Sequence, residues 1–205
     1  MNPEAFFSES DALFDGVEYV WDALARIEAY VTGFTFGKID SPIPDGVTLL
    51  NRQEVIIGPE CLIEPGVLIE GPCWIGPRCV IRHGAAVRKM TVLREGVTIG
   101  HATEVKRSIL LAGAKAPHFN YIGDAILGRN VNMGAGSKFA NLRLDGNQVA
   151  VDYKGVRYQT GLKKFGGVLG DGCQIGCNCV LNPGTLIMPG CTTMPCSSIR
   201  GVIFA

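Results

Sequence analysis

Aliphatic side chains recur at every sixth position along most of this chain. A period of six matches neither an amphipathic α-helix nor a series of hairpins, and it is typical of the hexapeptide form of a parallel β-helix. Three six-residue sides make a triangular coil, so we expect residues 18 apart to stack, with each buried CH₂ contributing roughly 0.8 kcal/mol. The aliphatic positions are Ile57, Ile63, Ile69, Ile75, Ile81, Val87, Leu93, Ile99, Val105 and Leu111, then Leu169, Ile175, Leu181, Ile187 and Ile199.

The cysteines follow the same repeat. Six of the eight occupy the small, inward position of the repeat, namely Cys61, Cys73, Cys79, Cys173, Cys179 and Cys191; two residues later comes the aliphatic position, which Thr193 occupies after Cys191. We therefore predict that these six are buried as small apolar side chains and do not bind metal. Cys177 and Cys196 lie off that position and are the two that need another explanation.

Composition excludes several classes of function. Lys and Arg balance Asp and Glu at 19 each, whereas a nucleic-acid-binding domain normally carries a basic excess. No apolar run approaches the roughly 20 residues of a membrane span. The acidic start also lacks the basic and apolar regions of a signal peptide. The sequence therefore predicts a cytoplasmic protein without nucleic-acid or membrane partners.

Residues 1–48 differ from the rest and are predicted to form an N-terminal helix and linker, with the β-helix domain over residues 49–205. Asp15 and Glu18 fit a capping box, and the apolar spacing that follows predicts a helix over about Gly16 to Thr32, stopped by Gly33. We expect this helix to cover the open end of the coil; a partner-binding helix is the alternative. The turn-rich segment 41–46 is interpreted as the linker.

The repeat is interrupted between residues 111 and 169, and polar side chains concentrate there. They are His118, Asn120, Tyr121, Asp124, Asn130, Asn132 and Asn141, with a Gly-Ala-Gly turn at 134–136. Residues 149–160 alternate around Lys154 and Gly155, which predicts an inserted β-hairpin arm. The predicted fold class is all-β: a parallel β-helix with a short N-terminal helical cap and this arm.

The segments 103–106, 115–124 and 130–136 resemble one family in order and in sequence. That family is the C-terminal acetyltransferase domain of the bifunctional N-acetylglucosamine-1-phosphate uridyltransferase/glucosamine-1-phosphate acetyltransferases. Segments 140–146 and 160–166 are more similar to its archaeal-type branch, and the similarity covers roughly residues 75–199. The resemblance implies a left-handed β-helix that transfers an acetyl group from acetyl-CoA to the amine of a hexosamine-1-phosphate. It also implies a homotrimer with active sites between subunits, and no metal cofactor. Because no Gly-rich nucleotide loop precedes the repeat, we expect acetyl transfer without nucleotidyl transfer.

The resemblance also assigns roles to residues, and elementary chemistry agrees with the first of them. His118 matches the catalytic base, and neutral imidazole is a competent base near pH 7. The amide of Ala135 matches the group that stabilises the oxyanion, and Asn141 lies close to the reacting groups. Substrate contacts are expected from Arg82, Lys106, Tyr121, Asn132 and Lys164, with Lys163 as the alternative to Lys164 because Asn147 and Gln148 stand where the family has a lysine. Coenzyme contacts are expected from Ala135, Cys177 and Pro195, without the family's basic tail.

Two other functions fit parts of the pattern. A non-catalytic β-helix protein that binds sugar phosphates or a partner would keep the scaffold without the reaction. A zinc enzyme of the β-helix carbonic anhydrase type would use histidines at a subunit interface, and His83, His101 and His118 recur about one coil apart. The close histidine pair of those enzymes is absent here, which argues against zinc.

Overall fold

The structure is a computed structural model that describes residues 1–33 and 37–204. Residues 34–36, in the predicted N-terminal segment, and residue 205, the last of the predicted β-helix domain, lie outside the described residues. Within the described residues the chain winds into a parallel β-helix with three sheets, each built from one short strand per coil. The first sheet contains Thr48–Leu50, Leu68–Glu70, Ala86–Val87, Glu104–Lys106, Tyr121–Gly123, Lys138–Phe139, Val180–Leu181 and Ser198–Ile199. The second contains Val55–Ile57, Cys73–Ile75, Thr91–Leu93, Ile109–Leu110, Ala125–Leu127, Gly167–Leu169, Thr185–Ile187 and Val202–Ile203. The third contains Leu62–Ile63, Val80–Ile81, Thr98–His101, Lys115–His118, Asn132–Met133 and Gln174–Ile175.

The predicted stack of aliphatic residues fills the interior, with one correction. Ile57, Ile75 and Leu93 are in register, but the next residue of the stack is Leu110 and not Leu111. The chain is one residue shorter at the corner that precedes Ile109, so this coil has 17 residues and the register moves by one. Leu111 is buried on the outer side of the coil instead.

The N-terminal segment lies along the outer face of the second sheet, and the expectation that it covers the open end of the coil is wrong. Its helix spans Ala23–Thr32, with Gly33 at its C-cap as predicted, and 3₁₀ turns precede it at Pro3–Ala5, Ala12–Phe14 and Val20–Asp22. Trp21 and Leu24 are buried against the sheet together with Ile109. Arg94 fixes the segment through a bidentate pair with Asp11 at 2.7 and 2.5 Å.

Two local predictions near the N-terminus are also wrong. Asp15 does not cap the helix: the helix starts at Ala23, seven residues after the predicted start at Gly16, and the backbone N–H of Tyr19 donates to Asp22 at 3.0 Å. Burial of the intervening apolar side chains holds the segment flat on the sheet. The segment predicted to be a linker already belongs to the first turn of the β-helix. Ile39 forms a parallel bridge with Ile57, and the Ser41 hydroxyl donates to the carbonyl of Gly58 at 2.6 Å.

The inserted arm is an antiparallel hairpin, as predicted. Its strands are Ala150–Tyr153 and Val156–Gln159. Lys154 and Gly155 both have positive φ, at 49° and 77°, which is the turn geometry that two-residue hairpin loops require. The insertion lengthens one coil to 42 residues, because Asn132 pairs with Gln174.

Thiol labelling checks the packing of the coil. The six cysteines at inward positions are buried, while Cys177 and Cys196 are exposed. Burial raises the pKa of Cys73 and Cys173 to about 12, so these thiols are also protonated at pH 8. We expect iodoacetamide to modify Cys177 and Cys196 quickly in the folded protein, as located by mass spectrometry of peptides, and the other six only after unfolding. Rapid native labelling of Cys73 or Cys173 would contradict the inward assignment.

Candidate active site

Four of the predicted residues form one column at the corner between the third and first sheets. His118 pairs with His101 of the preceding coil. In the following coils, Gly136 N–H donates to His118 O at 3.0 Å, Asn178 N–H to Ala135 O at 2.8 Å and Cys196 N–H to Cys177 O at 2.8 Å. The column therefore runs through His83, His101, His118, Ala135, Cys177 and Pro195, one residue per coil. The proposed base and the proposed coenzyme contacts share one edge of the molecule.

His118 differs from the other two histidines of the column. His83 Nδ1 lies 2.7 Å from Pro65 O, and His101 Nδ1 lies 2.9 Å from His83 O. These carbonyls keep a proton on Nδ1 in both rings. The ring of His118 is exposed and makes no hydrogen bond to any described residue. Both of its nitrogens are free for a ligand.

The turn at His118 is held by a buried asparagine. The Asn120 side chain accepts from His118 N–H at 3.2 Å and donates to the carbonyls of Gly134 and Ser137 at 2.8 and 3.1 Å. It thus ties the turn at His118 to the glycine turn of the next coil. Ala135 lies in that turn, and its N–H donates to no acceptor among the described residues. An oxyanion site needs a backbone N–H of this kind, which is not already paired within the protein.

Asn141 lies at the other corner of the first sheet, in a separate network. The Asp124 carboxylate, which is 1% exposed, accepts from Asn141 Nδ2 at 2.6 Å and from Arg107 Nη1 at 3.1 Å. Asn141 Nδ2 also lies 3.3 Å from the hydroxyl of Tyr121. Because Nδ2 faces these groups, the side-chain oxygen Oδ1 of Asn141, which accepts no hydrogen bond from a described residue, is available to a ligand.

Sequence reasoning assigned no role to Arg107 or Asp124. The signal was present only as a spacing: Arg107, Asp124 and Asn141 are each 17 residues apart, and 17 is the length of the coil here. Burial, and then the charge of Glu104, raise the pKa of Tyr121, so its hydroxyl remains protonated at neutral pH and can donate to a ligand.

The network has a testable contribution to stability. Asp124→Asn replaces one acceptor oxygen with an amide that faces either Arg107 or Asn141, both of which donate. We expect a loss of about 1–3 kcal/mol in the free energy of unfolding, measured with urea. Asp145→Asn is the matched control, because Asp145 also pairs with an arginine but is exposed. Equal shifts of the two urea midpoints would show that Asp124 does not hold this corner.

The remaining predicted substrate residues are spread over the surface. Lys106 and Asn132 lie half-buried on outward positions of the first and third sheets. Arg82 is exposed and forms an ion pair with Glu64 at 2.9 Å. It lies two coils before Pro117, the residue that precedes His118. Lys164 is exposed and forms a bridge with Leu142 at the base of the arm. Within one chain these residues do not converge on His118, and their roles stay predictions.

The described residues contain no cluster of potential metal ligands. In residues 1–33 and 37–204, no three His, Cys, Asp or Glu side chains come together in a way that could hold a metal ion. No helix in the same ranges has the length and apolar character needed to cross a membrane.

Comparison with known proteins finds sequence relatives of the kind that the motifs indicated. Residues 69–159 match the family model described as the GMPPB C-terminal domain. The chain is 40% identical over 167 residues to a bifunctional sugar-1-phosphate nucleotidylyltransferase/acetyltransferase of Sulfurisphaera tokodaii, covering 82% of this chain and 41% of that protein. It is 34% identical over 179 residues to the bifunctional protein GlmU of a Methanococcus maripaludis strain, covering 87% of this chain and 43% of that protein. The chain thus spans less than half the length of these two relatives.

Among solved structures, the acetyltransferase domain of PglB from Neisseria gonorrhoeae in complex with acetyl coenzyme A aligns with 78% of this chain and 58% of that chain. The sequence identity is 13% and the TM-score 0.34, values too low to support an argument about function. The sequence relatives confirm the resemblance stated from the motifs. Most of this chain is thus similar in sequence to part of a protein named as a bifunctional sugar-1-phosphate nucleotidylyltransferase/acetyltransferase.

Proposed function

We propose that this chain is an N-acetyltransferase that moves an acetyl group from acetyl-CoA to the amine of a hexosamine-1-phosphate, either glucosamine- or galactosamine-1-phosphate. The observation that carries the proposal is the corner column, where the free imidazole of His118 lies one coil from the unpaired N–H of Ala135. The names of the sequence relatives, as bifunctional sugar-1-phosphate nucleotidylyltransferase/acetyltransferases, favour this reaction over the other classes.

The residues of the column fit each step. The amine nitrogen of the acceptor attacks the thioester carbonyl carbon of acetyl-CoA, and His118 accepts the proton that the nitrogen loses. The carbonyl oxygen becomes an oxyanion, to which the Ala135 N–H donates. When the tetrahedral intermediate collapses, the carbon–sulfur bond breaks and the thiolate of coenzyme A takes the proton from His118. Cys177 and Pro195 lie farther along the column, where the rest of the coenzyme would extend.

A homotrimer fits the separation of the two clusters. His118 and Asn141 lie at opposite corners of the first sheet: Asn141 is six residues beyond Ala135, the column residue of its own coil, which is roughly 20 Å at ~3.3 Å per residue. A second copy that brings its His118 corner beside the Asn141 corner would complete a site between chains. Sedimentation equilibrium of the purified protein tests this, with a trimer expected and a monomer contradicting it.

The reaction is tested with purified protein, acetyl-CoA and a panel of amino sugars with and without a 1-phosphate. We expect release of coenzyme A thiol, together with an N-acetylated product by mass spectrometry, only with the amino sugar phosphates. No thiol release with any of them at high enzyme concentration would overturn the proposal. Binding of a hexose phosphate without turnover would then favour the non-catalytic function.

A further inference from the structure

A groove separates the hairpin arm from the last coils of the first sheet. Its volume is about 590 Å³, within the range of sites that bind small ligands. One wall is the arm, with Asp152 and Arg157, and the other is the coil, with Asn182 and Arg200. No sequence pattern predicts a cavity here, because the residues of the arm and those of the last coils are far apart in the chain.

The groove has fixed walls. Gly184, with φ of 79°, lies so close to the arm that a Cβ atom there would be 2.9 Å from a methyl group of Val149. Val149 and Val151 are buried at the base of the arm, and Thr160 Oγ1 donates to Val149 O at 2.6 Å. Tyr153 of the arm stacks on Phe204 with ring centroids 6.0 Å apart. The arm is therefore packed onto the coil at its base and along its length.

The charges that line the groove favour an anion. Arg143 and Arg157 each form a bidentate pair with one carboxylate, Asp145 and Asp152, at 2.5–2.9 Å. Arg200 makes no ion pair or hydrogen bond to any described residue, so three guanidinium groups face two carboxylates. Asp152 raises the pKa of Arg157, and the positive charge of Arg143 acts against that rise. Arg200 is thus the guanidinium group of the groove that keeps all its donors for an anion, next to two arginines that are already paired.

The groove begins beside the Asn141 network. Its lining includes Ala140 and Leu142, the two neighbours of Asn141. Outward positions of successive coils continue from Ala140 to Asn182 and then to Arg200, in the register of the paired strands. The groove therefore starts next to Asn141 and extends toward the last coils, although Asn141 and Tyr121 do not themselves line it.

We propose that this groove binds the phosphate monoester of the acyl acceptor, with Arg200 and Arg143 as its donors. The proposal rests on the proposed function and adds to it a phosphate site built by the inserted arm. Guanidinium groups offer paired N–H donors that match phosphate oxygens. Lys164 is the cation that the resemblance led us to expect. It forms an antiparallel β-bridge with Leu142 and does not line the groove.

Coenzyme A also carries phosphates, and the experiment distinguishes the two sources. Within one chain the column with Cys177 and Pro195 lies at the opposite corner of the first sheet, and we therefore assign the groove to the acceptor and test coenzyme A as the other source. Isothermal titration of the full chain with glucose 1-phosphate, which has no amine and cannot be acylated, measures the acceptor phosphate alone. Titration with coenzyme A is the second arm.

Arg200→Ala is expected to weaken glucose 1-phosphate binding by about tenfold or more, the loss of a charge-assisted hydrogen bond, and to leave coenzyme A binding unchanged. Arg78→Ala is the matched control, because Arg78 is also exposed but lies far from the groove and pairs with Glu95. The urea midpoint of each variant checks folding. Wild-type affinity of Arg200→Ala for glucose 1-phosphate would overturn the proposal, as would weakened binding of coenzyme A alone. Arg200-dependent glucose 1-phosphate binding without any acetyl transfer would uphold the groove and reject the proposed function.

Discussion

Replacing His118 with alanine is expected to lower kcat for acetyl transfer by about 10²–10⁴-fold, the usual contribution of a positioned general base. The imidazole is the proton acceptor for the attacking amine, and the described part of the chain offers no second free imidazole on this corner. The side chain is exposed, so its removal leaves the coil intact. The wild-type protein first shows whether glucosamine- or galactosamine-1-phosphate is the better acceptor. The rate of thiol release at saturating acetyl-CoA and saturating acceptor then measures the effect of the substitution.

His83→Ala is the matched control for that experiment. His83 is exposed at the same corner two coils away, and its Nδ1 is already bonded to Pro65 O. Activity of His83→Ala should remain within about twofold of wild type, since surface substitutions of this kind disturb little. Retention of more than a tenth of wild-type kcat by His118→Ala would show that another group accepts the proton.

Gly100→Ala is expected to destabilise the coil beneath His118 severely. A Cβ atom at Gly100 would overlap the carbonyl oxygen and carbon of Pro117 in the next coil. Both are backbone atoms, so no side-chain movement can relieve the overlap and the two coils must separate. We expect a loss of about 3 kcal/mol or more in the free energy of unfolding, at the upper end of overpacking effects, measured by urea denaturation.

Gly96→Ala separates the overlap from the intrinsic cost of losing a glycine. Gly96 has φ of 67° and nothing within 4 Å of the added Cβ atom. Its substitution should cost only the penalty of a left-handed alanine, about 1–2 kcal/mol. Equal losses of unfolding free energy in Gly100→Ala and Gly96→Ala would show that Gly100 does not lie against the backbone of Pro117.

The fold could be predicted because it is periodic. Each aliphatic position repeats the same burial, so the sequence indicated the coil, its interior and the buried cysteines. The shortened corner before Ile109 could not be predicted from the sequence. Leu110 and Leu111 are adjacent and both aliphatic, so either could continue the stack. The course of the N-terminal segment was missed for another reason: its apolar residues fit a helix face as well as they fit the side of a sheet.

The candidate site was predicted in part. The motifs named His118, Ala135, Cys177 and Pro195, and the structure brings these residues into one column. Asn141 also appears in a polar network, but with Asp124 and Arg107, whose relation to it depends on the 17-residue coil. The groove depends on how the arm folds back onto Gly184, and no local pattern encodes that contact.

Acyl transfer along the corner column can be tested with a crystal structure of the protein bound to coenzyme A and a hexosamine-1-phosphate. We expect the coenzyme to lie along Ala135, Cys177 and Pro195, with the amine nitrogen within about 3.2 Å of a ring nitrogen of His118. Coenzyme bound at another face, or an amine out of reach of every His118 in the assembly, would contradict it.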